Sequence, residues 1–450
     1  MIRALYSFIF LALFCQPLMA QKDFVLYNTE GLFQRHYVNP AFTPDTKVQI
    51  GVPGITSLYG GVAHSGFTLA DLIQVRPDDS LTLNVDNMIS KLKDNNFVTS
   101  DFQIDLLNVG FYVGEKNYFS FSVSQRVHSR FIYPRDLAVL VWEGNGKSLL
   151  GERASFDGIG FDFNAYREFA VGYTRVINDK LTLGGRFKYL QGHFNIHTRT
   201  SVFGLHTDET TYDLTIDGQG EINTAGFLQL MNDDLEINDL LFGTSNHGFA
   251  VDFGATYQLN DKISLSASLL DLGYIRWKDY TRSFVLEEFE YTFEGVDLQD
   301  FIDDSGSSTD QVVDSLENLF EGGEHDDAYN APLYTRFFIG GNYELNEKFT
   351  AGALLYNEVL KGHFRSALTL SMNVRLKHWL SATGTYTMFN RSYTNLGLGF
   401  VLRGGPVQFY LMTDNVFGVI IPDHMRNWHV RTGINVVIGK REKADQSSLN

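Results

Sequence analysis

Ten ionisable side chains recur at alternate positions within apolar, strand-like runs: Arg126, Arg186, Lys188, Asp252, Arg336, Glu344, Glu358, Arg375, Arg403 and Arg431. A period of two puts them on one side of an extended chain and the neighbouring Phe, Leu, Val and Tyr on the other. The chemistry open to such a set is ionic. If the apolar sides lie against lipid, a cation turned the same way would cost about 2–4 kcal/mol at mid-depth. The ten are therefore expected to face inward. Two readings follow: a wet lumen that selects solutes, or a fixed network of ion pairs that braces a closed barrel.

Other chemistries find little support. Nucleophilic catalysis needs a Ser or Thr placed beside a base, and no Gly-x-Ser-x-Gly elbow occurs. His193 and His197 are four apart, but on a strand they share a face about 13 Å apart, too far to chelate one metal. Cys15 is the single cysteine and lies in the leader described below, so thiol chemistry and disulfides are not expected. Between Glu287 and Asp327 there are 15 acidic residues and no Lys or Arg. That run lacks the spaced carboxylates of a calcium loop and reads as a solvated surface loop. A net charge of −17 argues against nucleic acid. No enzyme activity, cofactor or metal is expected.

The elements that carry the ten residues are hairpins. Phe169, Val171 and Tyr173 alternate with small or polar residues, Asn178-Asp179-Lys180 turns the chain, and Leu181, Leu183, Gly185, Phe187 and Tyr189 alternate back. Asn and Asp tolerate the left-handed backbone of tight turns. Asn260-Asp261-Lys262 and Asn346-Glu347-Lys348 repeat the device, Gly114-Glu115-Lys116-Asn117 is a looser version, and Lys377-His378 and Gly404-Gly405 are equally short. The connections between hairpins are long and polar. Short turns at one end and long loops at the other mark a transmembrane β-barrel.

The strands are placed as follows. Val48–Phe67 is the first, bent at Pro53-Gly54. Ile104–Val113 and Tyr118–Val127 form a hairpin, and the central hairpin runs to about Thr200. Phe249–Leu259 pairs with Ile263–Ile275. Seven more lie near 333–345, 348–359, 364–376, 379–389, 393–403, 406–416 and 427–439. Helical pieces are expected at 69–75, 85–92 and 134–142, and a helix capped by Thr309 in the acidic run. Trp277, Trp379 and Trp428 fall at strand ends, as in interfacial girdles.

Residues 1–20 read as a secretory signal: Arg3, an apolar core from Phe8 to Phe14, and Leu18-Met19-Ala20 before Gln21. No stretch of 18 apolar residues follows, so no spanning helix is expected. Residues 21–46 precede the first strand and carry Asn39-Pro40-Ala41. With the hairpins behind it, this motif resembles a group of bacterial outer-membrane barrels: the fatty-acid transporter FadL, PorV of the type IX secretion system and PorP/SprF-like proteins. The overall pattern is similar to an uncharacterised Bacteroidota barrel family. The resemblance implies that Asn39, Pro40 and Ala41 belong to an N-terminal plug. One departure stands: the chain continues past Gly439 into a charged tail rather than ending on an aromatic residue.

The expected architecture is all-β: a transmembrane antiparallel up-and-down β-barrel of about 14 strands. It would carry a signal at 1–20, a plug-like segment at 21–46, a barrel at 47–440, a charged tail at 441–450 and helical extracellular loops. The expected setting is the lipid of a Gram-negative outer membrane. The expected function is FadL-like passage or binding of small, hydrophobic molecules. The alternative is a closed scaffold docking a protein partner through its long loops, as in secretion or surface-attachment machinery. Nothing in the sequence fixes an oligomeric state.

Overall fold

A computed structural model describes residues 23–227, 245–293, 324–360, 363–389 and 392–441. The expected signal, the Thr309 helix and most of the charged tail lie outside the described residues.

The strands are β1 (Thr46–Gly51), β2 (Leu58–His64), β3 (Ile73–Val75), β4 (Leu81–Leu83), β5 (Asn95–Val113), β6 (Asn117–Pro134), β7 (Arg153–Ser155), β8 (Gly160–Val176), β9 (Leu181–Thr207), β10 (Leu214–Ala225), β11 (His247–Gln258), β12 (Ile263–Trp277) and β13 (Thr281–Phe293). After them come β14 (Glu324–His325), β15 (Tyr329–Pro332), β16 (Thr335–Glu344), β17 (Phe349–Leu360), β18 (His363–Lys377), β19 (Leu380–Phe389), β20 (Ser392–Gly404), β21 (Val407–Thr413) and β22 (Asn427–Lys440). Five short helices are α1 (Phe24–Asn28), α2 (Leu69–Leu72), α3 (Val85–Lys91), α4 (Arg135–Glu143) and α5 (Val416–Ile420).

Antiparallel pairing runs from β5 through β6, β8, β9, β11, β12 and β16 to β22. β22 then pairs with β1 and β2, which pair with β5 and close the circuit. Counting β1 and β2 as one interrupted strand gives a closed barrel of 14 strands. An even number returns both chain ends to the same rim: Thr46 lies opposite Lys440. The interruption falls at Val52–Ser57, around the Pro53-Gly54 bend expected from sequence.

The short turns owe their geometry to asparagine. The Asn178, Asn260 and Asn346 side-chain oxygens each accept from the backbone N–H groups two and three residues on, at 2.8–3.1 Å. These bonds satisfy donors that a two-strand turn leaves open.

Two loops of the sequence reading are strands instead. β10 lies in the long polar connection between the end of the central hairpin near Thr200 and Phe249, and β13 carries Glu287, Glu288 and Glu290 at the start of the acidic run. β9 has 27 residues, against the roughly 9–11 that cross a membrane at a tilt. Its first part pairs with β11; from Asn195 to Thr207 it pairs with β10, which pairs with β13. The result is a sheet arm overrunning the barrel by about 40 Å at roughly 3.3 Å per residue. The period of two is present, with Leu214 and Ile216 set against Thr215 and Asp217, and Phe289, Tyr291 and Phe293 against Glu288, Glu290 and Thr292, but glycines and carboxylates dilute it. Helix α4 and β7 cover the arm's base through Val139, Leu149 and Ala154.

Trp277 is the last residue of β12, at a strand end as expected, but it is fully buried against Tyr166, Leu190 and Ile275 rather than placed at an interface. After a short break the chain runs on upward as β13. Trp379 is exposed, as a girdle residue would be.

The outer wall shows a band of exposed apolar side chains, including Phe121, Val171, Phe253, Ile339, Leu370 and Phe400. Their in-between neighbours are buried and polar, such as Ser120, Ser122, Asp252, Thr369 and Thr387. That is the reverse of a soluble protein, and the arrangement of a barrel with lipid outside.

Candidate lumen and plug

Residues 23–45 fill the barrel interior near the short-turn rim. All five residues of α1 are buried. Phe24 meets Tyr356 edge-on at 5.2 Å, and Tyr27 stacks on Phe338 at 5.3 Å. The open end of α1 is met by one wall carboxylate: Asp414 accepts from the Phe24 and Val25 backbone N–H groups at 2.9 and 2.6 Å. Orphan donors at a helix start and a negative charge suit each other.

Asn39, Pro40 and Ala41 are buried together against the wall. The Asn39 oxygen accepts from Ala41 N–H at 2.9 Å, while its amide nitrogen donates to the Ala267 carbonyl at 3.1 Å. Thr174 donates to the Pro40 carbonyl at 2.6 Å. The wall beneath is glycine. A Cβ on Gly184 would sit 2.3 Å from the Pro40 carbonyl oxygen, and one on Gly254 2.1 Å from the Asn39 oxygen. Here the absent side chain lets two backbones approach.

Other contacts hold the segment on several sides. Gln34 and Asn435 exchange amide hydrogen bonds at 2.7 and 3.0 Å. The Tyr37 hydroxyl donates to Asp105. Arg35 donates twice to the Tyr27 carbonyl and lies 3.9 Å over the Phe42 ring.

Seven of the ten charged positions sit on the wall beyond this segment, and five of them join one network. Arg126 meets Glu168 at 2.9 Å. Arg186 meets Glu168 and Asp252, each at 3.2 Å. Lys188 approaches Asp252 at 2.8 Å, Asp271 at 2.5 Å and Glu168 at 3.8 Å, and Arg336 meets Asp271 at 2.5 Å. Glu358 pairs separately with Arg365 at 3.3 Å, and Arg431 pairs with Asp23. Four cations and three carboxylates on six strands thus pair with one another, which is how charge is tolerated in a low-dielectric interior.

Glu344, Arg375 and Arg403 lie near the short turns, at the rim, outside the buried network. Glu344 is exposed and Arg403 half-buried; Arg375 reaches back to Glu30 at 2.7 Å from a largely exposed position. Alternation sets the side a residue faces but not its depth along the strand.

Two members of the network went unnamed in the sequence. Glu168 is one residue before outward Phe169, so its phase was readable. Asp271 was not: β12 bulges opposite Asp252, and Leu270 and Asp271 are both buried. Asp271 has φ 59°, and its N–H donates to Asp252 at 2.8 Å. A bulge breaks the period on which the reading depends. His193 and His197 hold no metal cluster among the described residues, and His197 faces Asp162 at 2.7 Å.

Above the plug a cavity of about 80 Å³ remains, bordered by Asp23, Arg126, His128, Arg336 and Arg431. It has room for several waters, and its walls are polar.

Against known families, residues 40–414 match the model of a family of unknown function, DUF5723. The chain belongs to that family. No curated protein matches it. Among solved structures, it is similar to the Ralstonia pickettii toluene transporter TbuX at 10% identity, covering 92% of this chain and 95% of that one, with a TM-score of 0.39. It is similar also to a Pseudomonas aeruginosa FadL homologue, at 9% identity, 95% and 100% coverage and a TM-score of 0.41. The translocator domain of autotransporter NalP from Neisseria meningitidis matches at 8% identity, 87% and 88% coverage and a TM-score of 0.32.

Proposed function

We propose that this DUF5723 protein is an outer-membrane barrel, shut at rest, that works as a scaffold on the cell surface. The observation that carries this reading is the filled interior. Residues 23–45 close one end, the ion-pair network crosses the middle, and a polar cavity of about 80 Å³ borders both. A cavity of that size and polarity suits neither a steady aqueous pore nor a hydrophobic ligand.

The arm gives the scaffold its working part. Short turns mark the periplasmic rim of such barrels, so β9, β10 and β13 would stand outside the cell. A sheet about 40 Å long is costly to order unless it meets something. A protein partner at the long loops is the occupant this reading favours, and the reading needs neither catalysis nor a cofactor.

FadL-like passage of small molecules is the second reading. It draws on the cavity beside Asp23 and Arg431, the pair that anchors the plug's start. Passage would require the plug to move.

An epitope inserted at the β9–β10 turn, between Asp208 and Asp213, tests the reading. Antibody should label intact cells, and a salt-stable stoichiometric complex should be lost when the arm is shortened. Labelling only after lysis would contradict the orientation.

A further inference from the structure

β21 is too short for the wall it belongs to. It has seven residues, while roughly 9–11 are needed to cross the hydrocarbon layer at the usual tilt. Above Thr413 it no longer accompanies its neighbours. β20 continues upward to Ser392, while the upper part of β22, residues 427–430, keeps β2 on one edge and among the described residues has no strand partner on the edge that β21 occupies below. Between them the wall has a notch.

The notch is filled by residues 414–421. The Asn427 amide donates to Asn395 at 2.6 Å, and the Asn415 amide donates to the Asn427 carbonyl at 3.1 Å, so the polar edges of β20 and β22 meet across the gap. α5 sits on this seam. Its Gly418 packs so tightly that a Cβ would lie 2.2 Å from the Asn427 carbonyl oxygen. That contact fixes which side of the helix faces the barrel. Phe417, Val419, Ile420 and Ile421 are left exposed, Ile420 at 68%.

Height decides what covers them. From Val407 to Thr413 the chain climbs about 20 Å along the strand, within the roughly 25 Å apolar band of an outer-membrane barrel. The outward side chains of β21 just below, Phe409 and Leu411, already belong to that band. The exposed row on α5 therefore continues it upward without a polar break.

A second feature lies in the same sector. The hairpin β3–β4 pairs Ile73 with Leu83 and Val75 with Leu81. Val75, Leu81 and Leu83 are all at least 65% exposed. A lone two-stranded hairpin is marginal in water. It follows β2, the strand paired with the top of β22, so it rises beside α5.

We propose that α5 and the β3–β4 hairpin form an interfacial foot that seats in the acyl region of the outer leaflet. The occupant is lipid, and the foot replaces the missing upper part of β21. This rests on the membrane reading given above. It adds a lipid-facing surface that no barrel strand supplies.

Site-directed spin labelling tests it. Cys15 is the only cysteine and is changed to Ser, so single labels report at Ile420→Cys and Leu81→Cys in proteoliposomes. Leu370→Cys on the wall and Lys180→Cys at a turn serve as controls. Collision with oxygen should exceed collision with a water-soluble nickel complex at 420 and 81, as at 370, and the reverse should hold at 180. Nickel-dominated collision at 420 and 81, with 370 oxygen-dominated, would overturn the foot and leave the barrel standing. Nickel-dominated collision at 370 would overturn the membrane reading itself. Dipolar broadening between copies labelled at 420 would contradict lipid as the occupant and favour a second copy. A polar variant, Ile420→Asn, should keep the fold while lowering the oxygen signal at 81.

Discussion

Arg431 holds Asp23 with two nitrogens, Nε at 2.8 Å and Nη2 at 3.1 Å, and so joins the last strand to the start of the plug. The same guanidinium donates to Ser57 at 2.8 Å and lies 4.4 Å from the Tyr59 ring centre. Asp23→Ala should strand this buried cation at a cost of about 3–5 kcal/mol. The plug should then become sensitive to protease in detergent. Asp23→Ala with Arg431→Met should regain much of the loss. A double variant as sensitive as the single one would show that the pair does not anchor the plug.

The glycine floor beneath Asn39 and Pro40 makes a steric prediction. Gly184→Ala places a methyl group against the Pro40 carbonyl, where the backbone has no room to yield. The plug should loosen while the barrel survives, read as faster hydrogen exchange confined to 23–45. Gly404→Ala, with nothing near its Cβ, is the matched control and should leave exchange unchanged.

Lys188 is the hub of the ion-pair network. Lys188→Met removes the contacts at 2.8 and 2.5 Å to Asp252 and Asp271, leaving each with a single arginine, and should lower stability by about 3–5 kcal/mol, measured by heat-modifiable gel mobility and urea unfolding. Adding Asp252→Asn should restore part of it. Salt should have little effect on either, because the network is shielded from solvent.

His36 gives the plug a pH dependence. It sits on the plug, buried, and burial together with the nearby Arg186 guanidinium holds its pKa down at about 3. The docked plug therefore keeps His36 neutral, whereas a released plug titrates near 6.5. The contribution to docking is complete above 6.5 and is lost as pH falls toward 3, by about 1.4 kcal/mol per unit. Plug release followed by protease sensitivity should rise with acid over that window. His36→Gln should flatten this part of the profile.

Much of the fold was legible in the sequence because a barrel wall obeys one rule. Phe249, Val251 and Phe253 alternate with Ala250, Asp252 and Gly254, and the structure keeps that phase. The rule fails where the wall does. Asp271 lies on a bulge, Trp277 is packed inward at the end of β12, and Glu287 lies on an arm beyond the wall. Glu344, Arg375 and Arg403 sit at the rim, and alternation carries no signal of depth along a strand. The plug's partners were out of reach: Asp414 lies 390 residues from Phe24 and Arg431 408 from Asp23, and no local pattern joins them. The Asn39 motif was visible, but its floor at Gly184 and Gly254 appears only once the barrel closes.

Single-channel recording in a planar bilayer tests the closed barrel most directly. The intact protein, shown to be inserted, should be silent, and removal of residues 23–42 should yield steady current modified by Lys188→Met. Ohmic conductance through the intact protein would contradict the account.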